Sequence, residues 1–184
     1  LEWVADGGLL REVAGLVEWP VPLMGSFDPA FMEVPEEVLI LTMKKAQKYF
    51  VLRDPKTGKL APHFITVSNI DAKDGGAFVR GGNERVLSAR LSDAKFFWDQ
   101  DLKGKLEDNL QKLEEIVFHD KLGSVAERVD NIVAVSGFLS SDVPDVDRAK
   151  AVIAAKLCKA DLVSGMVNEF PELQGIIGGY YAKH

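Results

Sequence analysis

The residues from Arg80 to Asn109 constrain the fold most: RGGNERVLSARLSDAKFFWDQDLKGKLEDN. Leu87, Leu91, Ala94, Trp98 and Leu102 recur at spacings of four, three, four and four, which marks one face of an α-helix. Val86, Ala89, Phe96 and Phe97 lie off that stripe. A helix apolar over most of its circumference is expected to be covered by protein on more than one side. Asn83 suits the N-cap, where its side chain accepts from free backbone N–H groups, so the helix is predicted over about 83–103. Gly81 and Gly82 precede it, Arg80, Arg85 and Arg90 line its entrance, and Trp98 reads as buried.

Upstream, Leu9, Val13, Leu16 and Val17 have helical spacing and Pro20 stops that helix. Residues 20–27 (PVPLMGSF) read as extended, because prolines two apart forbid a helix. Pro35 suits a first helical turn, with Glu36 and Glu37 at the positive end and Lys44 and Lys45 at the negative end. Residues 48–53 (KYFVLR) and 63–70 (HFITVSNI) read as strands, joined by the Asp54-Pro55-Lys56-Thr57-Gly58 turn. With residues 20–27 beside them they predict a small antiparallel sheet.

After a hinge-like loop at 71–76 the texture is helical throughout, with no strand expected. Helices are predicted at about 83–103, 105–118, 124–140, 146–169 and 172–182. The fold class is therefore α+β: a sheet with helices in residues 1–73, then an all-α bundle in residues 74–184.

Five blocks together resemble the beta subunit of the bacterial tetrameric glycyl-tRNA synthetase. They are VEWPV (17–21), VPEEVLILTMKKAQKYF (34–50), GNERVLSARLSDAKFFWDQD (82–101), LEDNL (106–110) and NEFPELQGIIGGYYA (168–182). They follow the family's order over nearly the whole chain. The resemblance implies a tRNA-handling region with two partners, the alpha subunit and tRNA. In that family ATP-dependent activation of glycine belongs to the alpha subunit, so no catalytic residue and no cofactor are expected here. It also implies that residues 74–184 are a degenerate relative of the HD superfamily.

Charge narrows where tRNA would be touched. The chain carries a net −6. Between Thr42 and Leu60 stand six cations against Asp54 alone, a local +5 that leaves −11 on the remainder. A basic segment on an acidic body fits a local phosphate contact rather than a coating; on charge alone a solvated helix end and a lysine-rich hairpin turn fit it better. Together with the resemblance, the candidates are Lys44, Lys45, Lys48, Arg80, Arg85 and Arg90. At Arg80-Gly81-Gly82 two readings stand: backbone N–H groups receiving a phosphate at a helix start, or a glycine-capped start whose arginines pair with Glu84 or Asp93. Phe96, Phe97 and Trp98 read as buried, so phosphate contact is expected over base stacking.

Other chemistry is incomplete. His119-Asp120 and Asp161 resemble the doublet and distant aspartate with which HD phosphohydrolases hold a divalent metal. The separate histidine is missing, because His63 falls on a predicted strand and His184 is the last residue; no metal is expected. Asp161 lies beside the apolar face of its helix and needs a hydrogen-bonding or cationic partner. Gly175, Gly179 and Ala182 read as a packing stripe. No nucleotide-binding loop or nucleophilic triad is present. Cys158 is the only cysteine, which excludes an internal disulfide and suits a reducing cytoplasm. No apolar run has membrane-spanning length. The start at Leu1, in mid-pattern, suggests a piece of a longer polypeptide. The competing functions are a metal phosphohydrolase and a purely structural module.

Overall fold

The computed structural model describes all 184 residues. The chain packs as two compact units, residues 1–96 and 97–184. The division lies inside a long helix, whereas the composition changes at the loop 71–76.

In the first unit, β1 (Glu2–Trp3), α1 (Gly7–Leu16), β2 (Val21–Ser26), α2 (Glu36–Gln47), β3 (Phe50–Arg53) and β4 (Leu60–Ser68) precede the long helix α3 (Ala77–Asp101). The sheet order is β1-β3-β4-β2, antiparallel throughout. Asp6 starts α1 by accepting from Gly8 N (3.0 Å) and Leu9 N (2.9 Å). Leu9 and Val13 then bury against Phe50, with Ile65 and Val67 alongside. Helix α2 follows its macrodipole as expected, and Val38, Leu39, Thr42 and Met43 form its buried face. It ends on Lys48 in the left-handed conformation, φ 57°, which turns Tyr49 inward to stack on Phe64 at 4.5 Å.

Strand β4 begins three residues before the expected 63–70. Asn69 does not extend it but ends it: the Asn69 side-chain oxygen accepts from Glu18 N (2.9 Å) and Trp19 N (2.8 Å). Opposite Phe64 in the register is Gly25. A β-carbon there would lie 2.4 Å from Phe64 Cζ, so the ring covers β2 only because that position has no side chain.

Helix α3 starts at Ala77, not Asn83. Gly75 and Gly76, at φ 66° and 79°, turn the chain, a conformation open mainly to glycine. The Asp74 carboxylate then accepts from Gly76 N (3.0 Å) and Phe78 N (2.9 Å), so the helix absorbs Gly81 and Gly82. Its buried face is narrow: Leu87, Leu91 and Ala94. Cover on several sides is not what the structure shows. Phe78 is 87% exposed, Phe96 57% and Val86 45%, while Phe97 and Trp98 are half-buried.

The second unit departs furthest from the predicted helices. Residues 105–118 are two 3-10 turns, Leu106–Asn109 and Gln111–Glu115, followed by a strand. That strand, β5 (Val117–His119), pairs with β6 (Gly123–Ser124) in a hairpin the pattern did not predict. Ser124 and Glu127 open α4 (Val125–Asp142) as a capping box, Ser124 N donating to Glu127 Oε2 at 2.7 Å and Glu127 N to Ser124 Oγ at 3.2 Å. Helix α5 (Arg148–Leu157) is capped by Asp147. The single helix expected at 146–169 is broken by a 3-10 turn at Ala160–Val163 and restarts as α6 (Gly165–Glu169) on Ser164. Helix α7 (Ile176–Tyr181) starts late because Gly175 sits at φ 82°. Leu113, Val125 and Val129 centre this unit's core. No helix is long and apolar enough to cross a membrane.

Candidate functional site

The basic residues of α2 lie in its last turn and cap. Lys44 forms an ion pair with Asp6, and Lys48 Nζ lies 2.8 Å from Glu12 Oε1. Asp6 caps α1 and Glu12 lies within it, so these lysines bind the two helices together as well as facing solvent. Lys45 is exposed in the same turn. The Asp6 carboxyl is held below its usual range, chiefly by the Leu9 N–H and then by Lys44. Arg53, counted in the basic segment, is committed elsewhere. Its guanidinium grips Glu36 with two bonds of 3.0 Å and donates to Gly58 O at 2.8 Å, a fork that raises its pKa.

Arg80, Arg85 and Arg90 are all exposed. Glu84 does not pair with them; its carboxylate accepts from Ser26 N (2.9 Å) and Ser26 Oγ (3.2 Å). Steps of five residues rotate about 140° around a helix, so the three arginines point in three directions. The glycine phosphate cradle is overturned, because Gly81 and Gly82 lie inside α3 with their N–H groups in its ladder. The true start is occupied by Asp74, whose carboxyl is held below its usual range by the Phe78 N–H first.

What joins the two basic stretches is a residue pair without an obvious local signal. Tyr49 Oη donates to Asn83 Oδ1 at 2.5 Å, and Asn83 Nδ2 donates to Val79 O at 2.8 Å. Tyr49 follows the Lys48 cap directly. The hydrogen bond therefore ties the residue that follows the α2 cap to an early turn of α3. Burial pushes the Tyr49 hydroxyl up to about 12, so it is a donor at neutral pH.

The metal-ligating residues do not converge. No group of three or more His, Cys, Asp or Glu side chains is placed to hold a metal. His119 and Asp120 are exposed in the hairpin, where His119 Nδ1 accepts from Lys121 N at 3.1 Å. Asp161 is 1% exposed. Its partner is not a lysine of its own helical stretch but the Gly175 N–H, 2.5 Å from Oδ2. Its Oδ1 has no partner. A β-carbon on Gly178, next to the expected stripe of Gly175, Gly179 and Ala182, would come within 3.0 Å of this carboxyl, so that glycine leaves room for the aspartate.

Asp101, unremarkable in the sequence, organises the second unit. Its carboxylate accepts from Gly165 N and Met166 N, each at 2.9 Å, and from Tyr181 Oη at 2.7 Å. Trp98 stacks on Tyr181 at 5.4 Å. These elements are far apart in sequence, so no local pattern announces the hub.

A sequence profile of the glycyl-tRNA synthetase beta subunit matches residues 1–184. The chain is 62% identical over its whole length to the glycine–tRNA ligase beta subunit of Phenylobacterium zucineum, covering 28% of that protein. Against the beta subunit of Rhodospirillum centenum it is 56% identical over 97% of the chain and 25% of the relative. Against that of Neisseria meningitidis serogroup C it is 51% identical over 97% of the chain and 26% of the relative. The chain thus spans about a quarter of the length of these curated relatives. With a match running from the first residue to the last, the chain belongs to the glycyl-tRNA synthetase beta subunit family.

Proposed function

We propose that this chain works in the cytoplasm within a glycine–tRNA ligase, as a non-catalytic region of the beta subunit that positions tRNA and supports assembly with the alpha subunit. Family membership supports the setting. The single observation that supports the tRNA role is the Tyr49–Asn83 hydrogen bond, which ties the chain just after the cationic end of α2 to the turn of α3 between Arg80 and Arg85. Lys44, Lys45, Lys48, Arg80, Arg85 and Arg90 are the residues that meet phosphate. Flexible cations on a helix end and a helix surface reach phosphates without disturbing a core. Such contacts weaken with salt and discriminate poorly between sequences. Arg80 and Arg85 carry more of the effect than Lys44 and Lys48, because the lysines already hold Asp6 and Glu12.

The test is steady-state kinetics of the reconstituted alpha–beta enzyme. Reversing charge at Arg80 and Arg85 together raises the KM for tRNA, and reversing Lys44 and Lys45 raises it less. Glycyl-adenylate formation stays intact in both. Unchanged tRNA kinetics in both variants, at low and moderate salt, would assign the region a structural role alone.

A further inference from the structure

The second unit carries an apolar groove that nothing in these 184 residues fills. It runs between α4 and α5, has a volume of about 570 Å³ and is walled by Ile132, Val135, Leu139, Val143 and Val146. Leu139 and Val135 are more than half exposed, at 53% and 57%, and Phe138 beside them at 69%. An isolated exposed leucine needs no explanation, but a contiguous patch of this kind marks a surface that meets another one.

The lining decides the class of occupant. Its one charged residue is Arg128, whose guanidinium lies 4.1 Å over the Phe118 ring. A nucleic-acid surface needs many cations, so tRNA does not fit here. Interfaces that come and go are about as polar as the rest of a protein surface, whereas permanent ones are apolar like a core cut in half. This groove is of the second kind. A trough between two helices accepts the apolar face of a third, with side chains at i, i+3 or i+4, and i+7. Arg128 at the rim adds a site for one carboxylate.

The length of the relatives points to the source. The beta subunits matched here are about four times as long as this chain, so most of such a polypeptide lies outside residues 1–184. A segment tethered on the same chain has a high effective concentration and can cover a permanent apolar surface before any other protein arrives. We infer that the α4–α5 groove is the seat of an amphipathic helix from the beta-subunit polypeptide outside these 184 residues, with an acidic side chain against Arg128. The inference stands on the family and on the groove, and is independent of the tRNA reading.

A photo-crosslinking amino acid at Leu139 of a full-length beta subunit, irradiated in the reconstituted alpha–beta enzyme, tests it directly. The expected product joins Leu139 to a beta-subunit peptide outside residues 1–184, forms equally without the alpha subunit, and is lost when the charge of Arg128 is reversed and Val135→Ser is added. A parallel measurement guards against misfolding. Val135→Ser with Leu139→Ser should leave the melt of the 184-residue chain unchanged, yet raise amide exchange across α4 in the full-length subunit about tenfold. Crosslinking to the alpha subunit or to a second beta copy overturns the inference, as does the absence of any crosslink or equal exchange in the short and long chains.

Discussion

Asp101 and Tyr181, eighty positions apart, are joined by a 2.7 Å hydrogen bond from the phenol to the carboxylate. The same carboxylate receives the first two amides of α6, so one side chain at the end of α3 fixes two later helices. Asp101→Ala removes three hydrogen bonds to a charged acceptor and leaves partly buried donors unsatisfied. It should destabilise the protein by about 2–4 kcal/mol, read as a lower denaturant midpoint with faster exchange at Gly165 and Met166. An unchanged midpoint would mean water replaces the carboxylate without loss.

Trp98 lies on the same hub, stacked on Tyr181 and edge-on to Tyr180 at 6.2 Å. Full burial would put Trp98→Ala at about 3–5 kcal/mol. Because the ring is only half-buried, the expected loss is about 2–3 kcal/mol, with part of it in the aromatic pairing. A thermal melt of Trp98→Ala beside Trp98→Phe separates the two contributions.

Stability should fall in alkali in a defined window. Tyr49 titrates at about 12 in the folded chain and at about 10 when unfolded. A raised pKa means that below pH 10 its contribution is fully present; it is lost as pH climbs through 12, because only the unfolded chain gives up the proton easily. Tyr49→Phe should make that decline shallower and, by leaving Asn83 Oδ1 without its donor, cost about 1 kcal/mol at neutral pH. Urea melts at stepped pH, alongside tyrosinate absorbance, check both statements.

Gly25→Ala tests the contact between β2 and the Phe64 ring. With a β-carbon 2.4 Å from Cζ, the ring must leave its stack on Tyr49 or the strands must part. Overpacking of this kind costs about 1–3 kcal/mol. A variant as stable as the parent would show that the ring has room to move.

Asp161 offers a contrast between two substitutions. Asp161→Ala strands the Gly175 N–H and should cost about 1–3 kcal/mol. Asp161→Asn keeps that acceptor in a side chain of nearly the same shape, and should stay within about 1 kcal/mol of the parent. Added manganese should raise the midpoint of neither the parent nor the variants. A shift seen only with Asp161 intact would restore a metal site.

The elements legible in the sequence are those whose causes are local. Pro35, Glu36 and Glu37 followed by Lys44 and Lys45 specify α2 by backbone geometry and dipole. The Asp54–Gly58 turn and its aromatic and branched flanks specify the β3–β4 hairpin, and the spacing of Leu87, Leu91 and Ala94 specifies the inner face of α3. Five ordered sequence blocks were sufficient to indicate the family. What the tertiary structure decided depended on partners far along the chain. Asn83 has the chemistry of a cap, yet Tyr49, thirty-four residues away, claims it, and Asp74 takes over the start of α3. Asp161 and Asp101 break and re-anchor the helices after residue 157 through backbone amides that no periodicity reveals. Phe78, Phe96 and Leu139 are as apolar as the core residues beside them; which apolar side chains find cover depends on what packs there, and local pattern does not encode that.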